Sequence, residues 1–287
     1  RHDTPAKMAF YASGNERLGD SVIDLNLANS LDGLPSDGAP IGVFHEYRAD
    51  NAIAYVSPNF SGFTVAAAMI PGEDNGKSSS STVAASTSFS PTNPATAGNP
   101  TTTGLVTSVY NAGSSSTCKN QRDGIADHYS VGLMYKGNGL KAGAGYSSYD
   151  LDECGSSMMD DYEVMQIGAS YTMNNFSFGA QYEDSENVGG LKDLDYTAWA
   201  VTGKYTFGNN AISAVYTDAE YDAPSGVNDV DRDGWGVSAE HNFSKRTKVY
   251  AAYASGTVDP DNDANKANVF SSTKDQDNDV FSLGMIH

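Results

Sequence analysis

Long hydrophobic runs are absent from this chain of 287 residues, whose mean hydropathy is −0.43. No stretch approaches the roughly eighteen consecutive apolar residues that a membrane-spanning helix needs. The chain opens RHDTPAKMAF, which lacks the apolar core of a signal peptide. We therefore expect that a signal peptide has been lost from the mature form or that the chain is incomplete.

Positive charge is also scarce, because 17 Lys and Arg residues stand against 36 Asp and Glu residues, giving a net charge of −19. Proteins that bind nucleic acid need positive patches, so this balance excludes that class of partner. An excess of carboxylates instead favours cations wherever those carboxylates surround a narrow space.

Cysteine is limited to Cys118 and Cys154. Both fall in predicted long loops that flank one predicted hairpin, 126–149, and no histidine accompanies either, which leaves a metal site unsupported. An oxidising compartment favours a disulfide between them, and two free surface thiols are the alternative.

Catalytic motifs are lacking as well. None of the five histidines stands beside a serine or cysteine nucleophile in a recognisable motif, and no G-x-S-x-G occurs. We therefore predict that the chain is not an enzyme.

What the chain does contain is an alternation of period two, clearest over 198–207. Trp199, Val201 and Tyr205 alternate with small, polar or basic residues such as Ala200 and Lys204. A strand sends successive side chains to opposite faces, so this segment has one apolar and one polar face. Aromatic residues near the ends of the apolar face are typical of a membrane β-barrel, whose outside meets lipid and whose inside holds water.

The alternation recurs in ten further stretches: 51–58, 63–71, 129–136, 140–147, 166–172, 176–183, 211–221, 235–243, 247–257 and 278–287. Eleven strands in one domain, 1–287, predict an all-β fold, namely a transmembrane antiparallel β-barrel. A secreted β-sandwich is the alternative, although it does not account for aromatic residues at strand ends.

Short and long connections alternate along the chain. The short ones are predicted at 58–62, 137–139, 174–175, 208–210 and 244–247, and the long ones at 72–125, 150–161, 184–195, 222–233 and 258–277. All short turns then lie at one end, which in outer-membrane barrels is the periplasmic end. Because eleven strands leave the first and last parallel, an antiparallel barrel needs an odd number of further strands.

The chain resembles the general diffusion porins of Gram-negative outer membranes, of the type found in Vibrio and related marine gammaproteobacteria. The resemblance rests on Arg1-His-Asp-Thr-Pro5, on Asn51-Ala-Ile-Ala-Tyr-Val-Ser-Pro-Asn-Phe-Ser-Gly-Phe63 and on Phe281-Ser-Leu-Gly-Met-Ile-His287. It implies a trimeric barrel of sixteen strands, five of them preceding this chain, and a terminal phenylalanine two residues beyond His287. It also implies that residues 1–50 form a constriction loop folded into the pore.

The candidate site follows from that loop. Its acidic residues, which would give the lumen a negative field, are Glu16, Asp20, Asp24, Asp32, Asp37 and Glu46. The pore-lining basic residues are predicted to be Arg17, Arg48, Lys136, Lys141, Lys204 and Lys248, and the four lysines lie toward the short turns. A solvated acidic loop is the simpler interpretation of any one of these carboxylates.

A calcium-loop pattern occurs at Asp229-Val-Asp231-Arg-Asp233-Gly234, with Glu240 at the twelfth position. An EF-hand needs flanking helices, whereas the residues after Gly234 alternate as a strand and turn Glu240 into the lumen. Loose calcium binding by Asp229, Asp231 and Asp233 in an extracellular loop is the hypothesis that remains, and no other cofactor is expected.

The sequence thus predicts an outer-membrane porin, a water-filled channel for passive diffusion of small hydrophilic solutes and ions, with a preference for cations. The alternatives are an outer-membrane barrel that acts mainly as an adhesin or receptor, and a barrel enzyme. The expected partners are the lipid bilayer, lipopolysaccharide and two further copies of the chain. Small outward residues suited to packing against another barrel are Ala142, Ala144, Ala169 and Ala180. Residues 77–117 are rich in Ser, Thr and Ala and predict a long surface loop.

Overall fold

A computed structural model describes residues 2–13, 48–49, 52–71, 128–150, 160–188, 191–244, 246–261, 263, 266–268 and 276–286. In chain order the elements are β1 His2–Asp3, α1 Pro5–Ala12, β2 Arg48–Ala49, β3 Ile53–Val56, β4 Phe63–Ile70, β5 His128–Gly137, β6 Leu140–Tyr149, β7 Tyr162–Met173, β8 Phe176–Glu186, β9 Asp195–Phe207, β10 Asn210–Asp222, β11 Val227–Asn228, β12 Val230–Asn242, β13 Lys248–Pro260, β14 Ala267–Asn268 and β15 Gln276–Ile286.

Eleven of these strands form one antiparallel sheet in the order β15-β13-β12-β10-β9-β8-β7-β6-β5-β4-β3. Every strand of the sheet pairs with the sheet strand that precedes or follows it in sequence, as an up-and-down barrel requires. The prediction of eleven strands and an all-β barrel fold is confirmed. Two smaller pairs lie outside this sheet, β1 with β2 and β11 with β14.

Two-residue turns make the tight hairpins. Asn138 and Gly139 join β5 to β6, and both have positive φ angles, 51° and 79°. A turn with two such residues has the twist of the strands that it joins, which is why asparagine followed by glycine is favoured there. Because these turns recur between alternate strand pairs, they all lie at one end of the sheet.

The two faces of the sheet differ as predicted. On β9 the outward Trp199 and Val201 are 39% and 44% exposed, whereas the inward Ala200 and Thr202 are 2% and 6% exposed. The large apolar side chains therefore lie on the open face, and the small and polar side chains on the enclosed one. This distribution is the reverse of that in a soluble β-protein and fits a barrel surrounded by lipid.

Aromatic residues form two rows on the outward face. Toward the long connections, Trp199 packs on Tyr216 with ring centroids 5.5 Å apart, and Trp199 Nε1 donates a hydrogen bond to Asp218 Oδ1 at 3.1 Å. Toward the short turns, Tyr205 packs on Phe176 at 4.6 Å. Rings with an apolar body and a polar tip favour the two membrane interfaces, so these rows mark the edges of the hydrocarbon layer.

Two long connections are shorter than predicted. Loops were expected at 184–195 and 222–233, yet β8 continues to Glu186, β9 begins at Asp195 and β12 begins at Val230. The hydrophobic alternation fades here because the outward residues have left the lipid. The strands continue nonetheless, since the backbone pairing and the inward packing do not depend on lipid.

An apolar cluster holds the connections at this end. Leu194 and Val227 from the connections pack with the inward-facing Tyr196, Tyr221 and Val230, all of them buried. The rings of Tyr196 and Tyr221 lie 4.4 Å apart on adjacent strands. The cluster ties residues 187–188, 191–194 and 223–229 to the inner wall.

Of the helices in the described part of the chain, none has the length and apolarity to span a membrane.

A matched pair of lysine substitutions tests the assignment of the two faces. In the full-length protein folded in bilayers, Val65→Lys puts a charge on the outward face of β4 and should lower the free energy of unfolding by about 2–4 kcal/mol. Thr64→Lys puts the same charge on the inward face and should cost far less. Denaturant titrations measure both values, and equal losses would contradict the assignment.

Candidate functional site

Helix α1 begins at Pro5, and the preceding Thr4 is its N-cap. Thr4 has an extended backbone and its Oγ1 accepts a hydrogen bond from the Lys7 amide at 3.4 Å, while Pro5 occupies the first helical position. Threonine satisfies a free amide there and proline has a suitable φ angle, so both residues favour a helix start. This helix was not expected, because residues 1–50 were predicted to form a loop, although Thr4-Pro5 is a recognisable signal for a helix start.

Four glycines on the inner wall form the surface on which α1 lies, and we call them the glycine platform. They come from three adjacent strands, and two of the cross-strand pairs are glycine opposite glycine. The platform consists of Gly132 on β5, Gly143 and Gly145 on β6, and Gly168 on β7.

A side chain on the platform would occupy the space of the helix. A Cβ added to Gly143 would overlap the carbonyl group of Ala9, and one added to Gly145 would overlap the Cα of Ala6. The absence of side chains on these glycines therefore lets the helix backbone approach the sheet directly. Glycine is otherwise unfavourable in a strand, so a close backbone approach accounts for its presence there.

Serine hydroxyls attach the helix to the wall. The amide of Ala6 donates to Ser130 Oγ at 2.9 Å, and Ser147 Oγ also donates to Ser130 Oγ at 2.9 Å. At the other end of the helix, Ser170 Oγ donates to the carbonyl oxygen of Ser13. The described start of the predicted constriction loop thus lies against the inner wall of the barrel, as the fold prediction expected.

The predicted acidic residues lie outside the described residues. This holds for Glu16, Asp20, Asp24, Asp32, Asp37 and Glu46, and for Arg17 among the basic residues. Arg48 is in β2, whose backbone pairs with β1 through Asp3 opposite Arg48. That pairing brings the two ends of the segment 4–47 together. A negative constriction field stays a prediction.

An ion triplet lies on the inner wall in the half nearer the short turns. Glu240 on β12 forms salt bridges with two lysines: its Oε2 lies 3.1 Å from Lys204 Nζ, and its Oε1 lies 3.2 Å from Lys248 Nζ. The Glu240 side chain is 6% exposed, and the two lysine side chains are about one-fifth exposed. The alternation predicts that both lysines and Glu240 face the lumen, but it does not predict that they join in one ion triplet.

Lys136 and Lys141 lie directly opposite each other at the ends of β5 and β6, beside the turn of Asn138 and Gly139. Among the residues that the structure describes, neither takes part in an ion pair. Like charges opposite each other disfavour strand pairing. Within the described part of the chain, this pair therefore contributes two positive charges at the short-turn end that no carboxylate compensates.

The three aspartates of the calcium hypothesis do not share a loop, so that placement was wrong. Asp231 and Asp233 belong to β12, because this strand extends past the lipid, and the pleat of the strand turns both side chains outward. Asp229 precedes the strand, accepts the Ala223 amide at 2.8 Å and lies 3.9 Å from Lys266 Nζ. Over the described ranges no group of three His, Cys, Asp or Glu side chains could hold a metal ion. Calcium binding stays a prediction.

The family model for Gram-negative porins matches residues 1–264, which is most of the chain. The chain belongs to the Gram-negative porin family. It is therefore a protein of the outer membrane of a Gram-negative bacterium, as predicted from the alternation and the turn lengths. The predicted disulfide partners of this porin, Cys118 and Cys154, lie outside the described residues.

Among curated proteins, the chain is 31% identical to porin-like protein L of Photobacterium profundum over 160 residues. The match covers 54% of this chain and 45% of the relative, so the chain spans about half the length of the curated protein. A relative from Photobacterium agrees with the marine gammaproteobacterial type that the sequence resembles.

Solved porin structures are similar only in part. OmpT of Vibrio cholerae expressed in the outer membrane is 22% identical with a TM-score of 0.40, covering 54% of this chain and 48% of that one. OmpF of Salmonella typhi, in complex with daunomycin, is 15% identical with a TM-score of 0.44, covering 82% of this chain and 62% of that one.

A valine on the glycine platform should detach α1. The readout is a cysteine introduced by Lys7→Cys, at a position that is 4% exposed, labelled with a small water-soluble thiol reagent in the full-length protein. We expect Gly143→Val to speed labelling about tenfold, the effect of lowering a local opening free energy by about 1.4 kcal/mol.

The matched control is Gly203→Val on the outward face, where an added Cβ meets nothing nearer than Phe178 Cδ1 at 3.9 Å. It should leave the labelling rate of the Lys7→Cys protein unchanged. A Gly143→Val rate equal to that of the control would show that the helix does not depend on the platform.

Proposed function

We propose that the protein forms a water-filled channel through which small hydrophilic solutes and ions diffuse passively, and that the channel prefers cations. The observation that carries this proposal is the polarity of the inner wall. Serine, threonine, glutamine and charged side chains face inward along strands whose outward residues are apolar. A barrel that keeps its polar groups inside can hold water there, whereas a barrel made only for anchorage does not need such a wall.

Helix α1 supports a constriction. It occupies space on the inner wall of β5, β6 and β7, and its position is fixed by the glycine platform and by Ser130 and Ser170. Since β1 pairs with β2, the residues on either side of the segment between them, Asp3 and Arg48, lie opposite each other. We infer that residues 1–50 narrow the lumen and that α1 anchors them to the wall.

The expected charge preference depends on two opposing sets of side chains. Six carboxylates of the segment 1–50 supply negative charge, and a narrow lumen with a low-dielectric wall focuses that field on passing ions. Against them stand the lysines near the short turns. Glu240 compensates one charge of the Lys204 and Lys248 pair, so the basic wall is weaker than its lysine count indicates.

The alternatives, an adhesin or a barrel enzyme, receive less support. The family match and the polar inner wall both favour a channel. We further propose that the channel assembles as a homotrimer, contacts lipopolysaccharide in the outer leaflet and carries a disulfide between Cys118 and Cys154. One solved structure of OmpT from Vibrio cholerae is of a trimer form of that protein.

Planar-bilayer recording of the full-length protein tests the channel and its selectivity together. We expect ohmic current steps in multiples of three and a reversal potential, under a salt gradient, on the cation side. Anion selectivity would be consistent with a channel but would contradict the proposed preference for cations. Absence of conductance from folded protein would contradict the channel itself.

The ion triplet provides a more specific test. Glu240→Gln leaves Lys204 and Lys248 without their shared carboxylate, so the cation-to-anion permeability ratio should fall. We expect about a sixfold fall, since one unit charge about 8 Å away in water changes the energies of a cation and of an anion by about 0.5 kcal/mol each, in opposite directions. The reversal potential under a salt gradient measures this ratio.

Glu220→Gln is the matched control, because Glu220 faces outward on β10. It removes the same charge without changing the inner wall and should leave the permeability ratio as it was. A shift in the control as large as that of Glu240→Gln would show that net charge, rather than position in the lumen, sets the preference.

A further inference from the structure

A groove of about 640 Å³ lies on the outward face between β8 and β15. Its floor includes two pairs of small residues on adjacent strands, Gly203 opposite Ala214 and Ala239 opposite Ala251, and between the two pairs stand Ile212 and Val237. We call it the alanine groove. Its volume falls in the range of about 300–1,000 Å³ that is usual for small-molecule sites.

Larger apolar side chains bound the groove on both sides. Phe176, Phe178 and Tyr205 stand on the β8 and β9 side, where the rings pack on one another at 4.6 and 6.2 Å. Tyr253 and Phe281 stand on the other side, directly opposite each other on β13 and β15. The groove is therefore a defined depression, not merely a stretch of small residues.

The groove lies at the depth of the hydrocarbon layer. Its short-turn end is at the row of Tyr205, and its long-loop end stops below the row of Trp199 and Trp235. Water does not fill an apolar cavity, and the side chains that line an empty cavity lack partners for dispersion contacts. Hydrocarbon is the surrounding medium at this depth, so an acyl chain is the natural occupant.

The two ends of the groove differ in charge. Next to the short-turn end, His241 Nδ1 donates a hydrogen bond to Asn210 Oδ1 at 2.8 Å, and the exposed Arg246 lies in the turn that follows. Beyond the long-loop end the outward residues include the carboxylates Asp218 and Asp233, opposite each other on β10 and β12. An anionic headgroup is attracted to the first end and repelled from the second.

We propose that the alanine groove binds one acyl chain of an anionic phospholipid from the periplasmic leaflet, with its phosphate near Asn210, His241 and Arg246. The short turns are periplasmic in barrels of this kind, which puts this end of the groove in the inner leaflet. Lipopolysaccharide belongs to the opposite leaflet, at the long-loop end of the groove. This site is separate from the lumen and does not depend on the charge preference of the channel.

Native mass spectrometry of the full-length protein in detergent tests the proposal, with phosphatidylglycerol as the probe and phosphatidylcholine, whose zwitterionic headgroup has no net charge, as the comparison. We expect the wild-type protein to retain phosphatidylglycerol. Ala214→Phe, which fills the groove, should weaken retention about tenfold. Arg246→Ala should reduce phosphatidylglycerol to the level of phosphatidylcholine without abolishing retention of either lipid.

Ala67→Phe is the matched control, an outward alanine on β4 remote from the groove, and should retain lipid as the wild type does. Circular dichroism checks that each variant keeps its strands, and unchanged conductance of Ala214→Phe separates this site from channel function. Equal retention by the two phenylalanine variants would overturn the proposal. So would retention of lipopolysaccharide instead of phospholipid, or a subunit count that changes only in Ala214→Phe, which would identify the groove as a contact between copies.

Discussion

Backbone hydrogen bonding between neighbouring strands is the constraint that shapes every other feature of this structure. Hydrocarbon offers no partner for an amide or a carbonyl group, so each strand in the membrane must pair on both sides. Pairing fixes a pleat of period two, and the pleat divides every strand into an outward and an inward row. The apolar surface, the polar wall and the register of the whole sheet follow from this one requirement.

Inside the barrel the same pleat decides where other groups can fit. Small inward residues on adjacent strands come into line because neighbouring strands are in register. The glycine platform arises in this way, with Gly132 opposite Gly145 and Gly143 opposite Gly168. Outside the barrel, the small residues of the alanine groove come together by the same geometry. One register therefore creates an anchoring surface for a helix on one face and a groove for hydrocarbon on the other.

Electrostatics is arranged along the strands rather than around a single point. Lysines cluster toward the short turns, where Glu240 on a neighbouring strand compensates part of their charge. Carboxylates accumulate at the other end, beyond the aromatic row of Trp199. A charged side chain on the outward face destabilises the barrel within the hydrocarbon layer but has little effect beyond it. The outward charges are consequently confined to the two ends, while the inner wall can carry charge at any depth.

Strand number, the two faces and the end at which the short turns lie could all be inferred from the sequence, because lipid and pleat impose a local pattern of period two. The same pattern placed Lys204 and Lys248 on the inner wall. Strand ends outside the lipid, as at Glu186 and Asp195, could not be inferred, since hydrophobic alternation stops before backbone pairing does. The joining of the two lysines by Glu240 and the seat of α1 on the glycine platform became visible only in the folded barrel. Those contacts depend on register between strands and on distant segments meeting, and no local pattern encodes either.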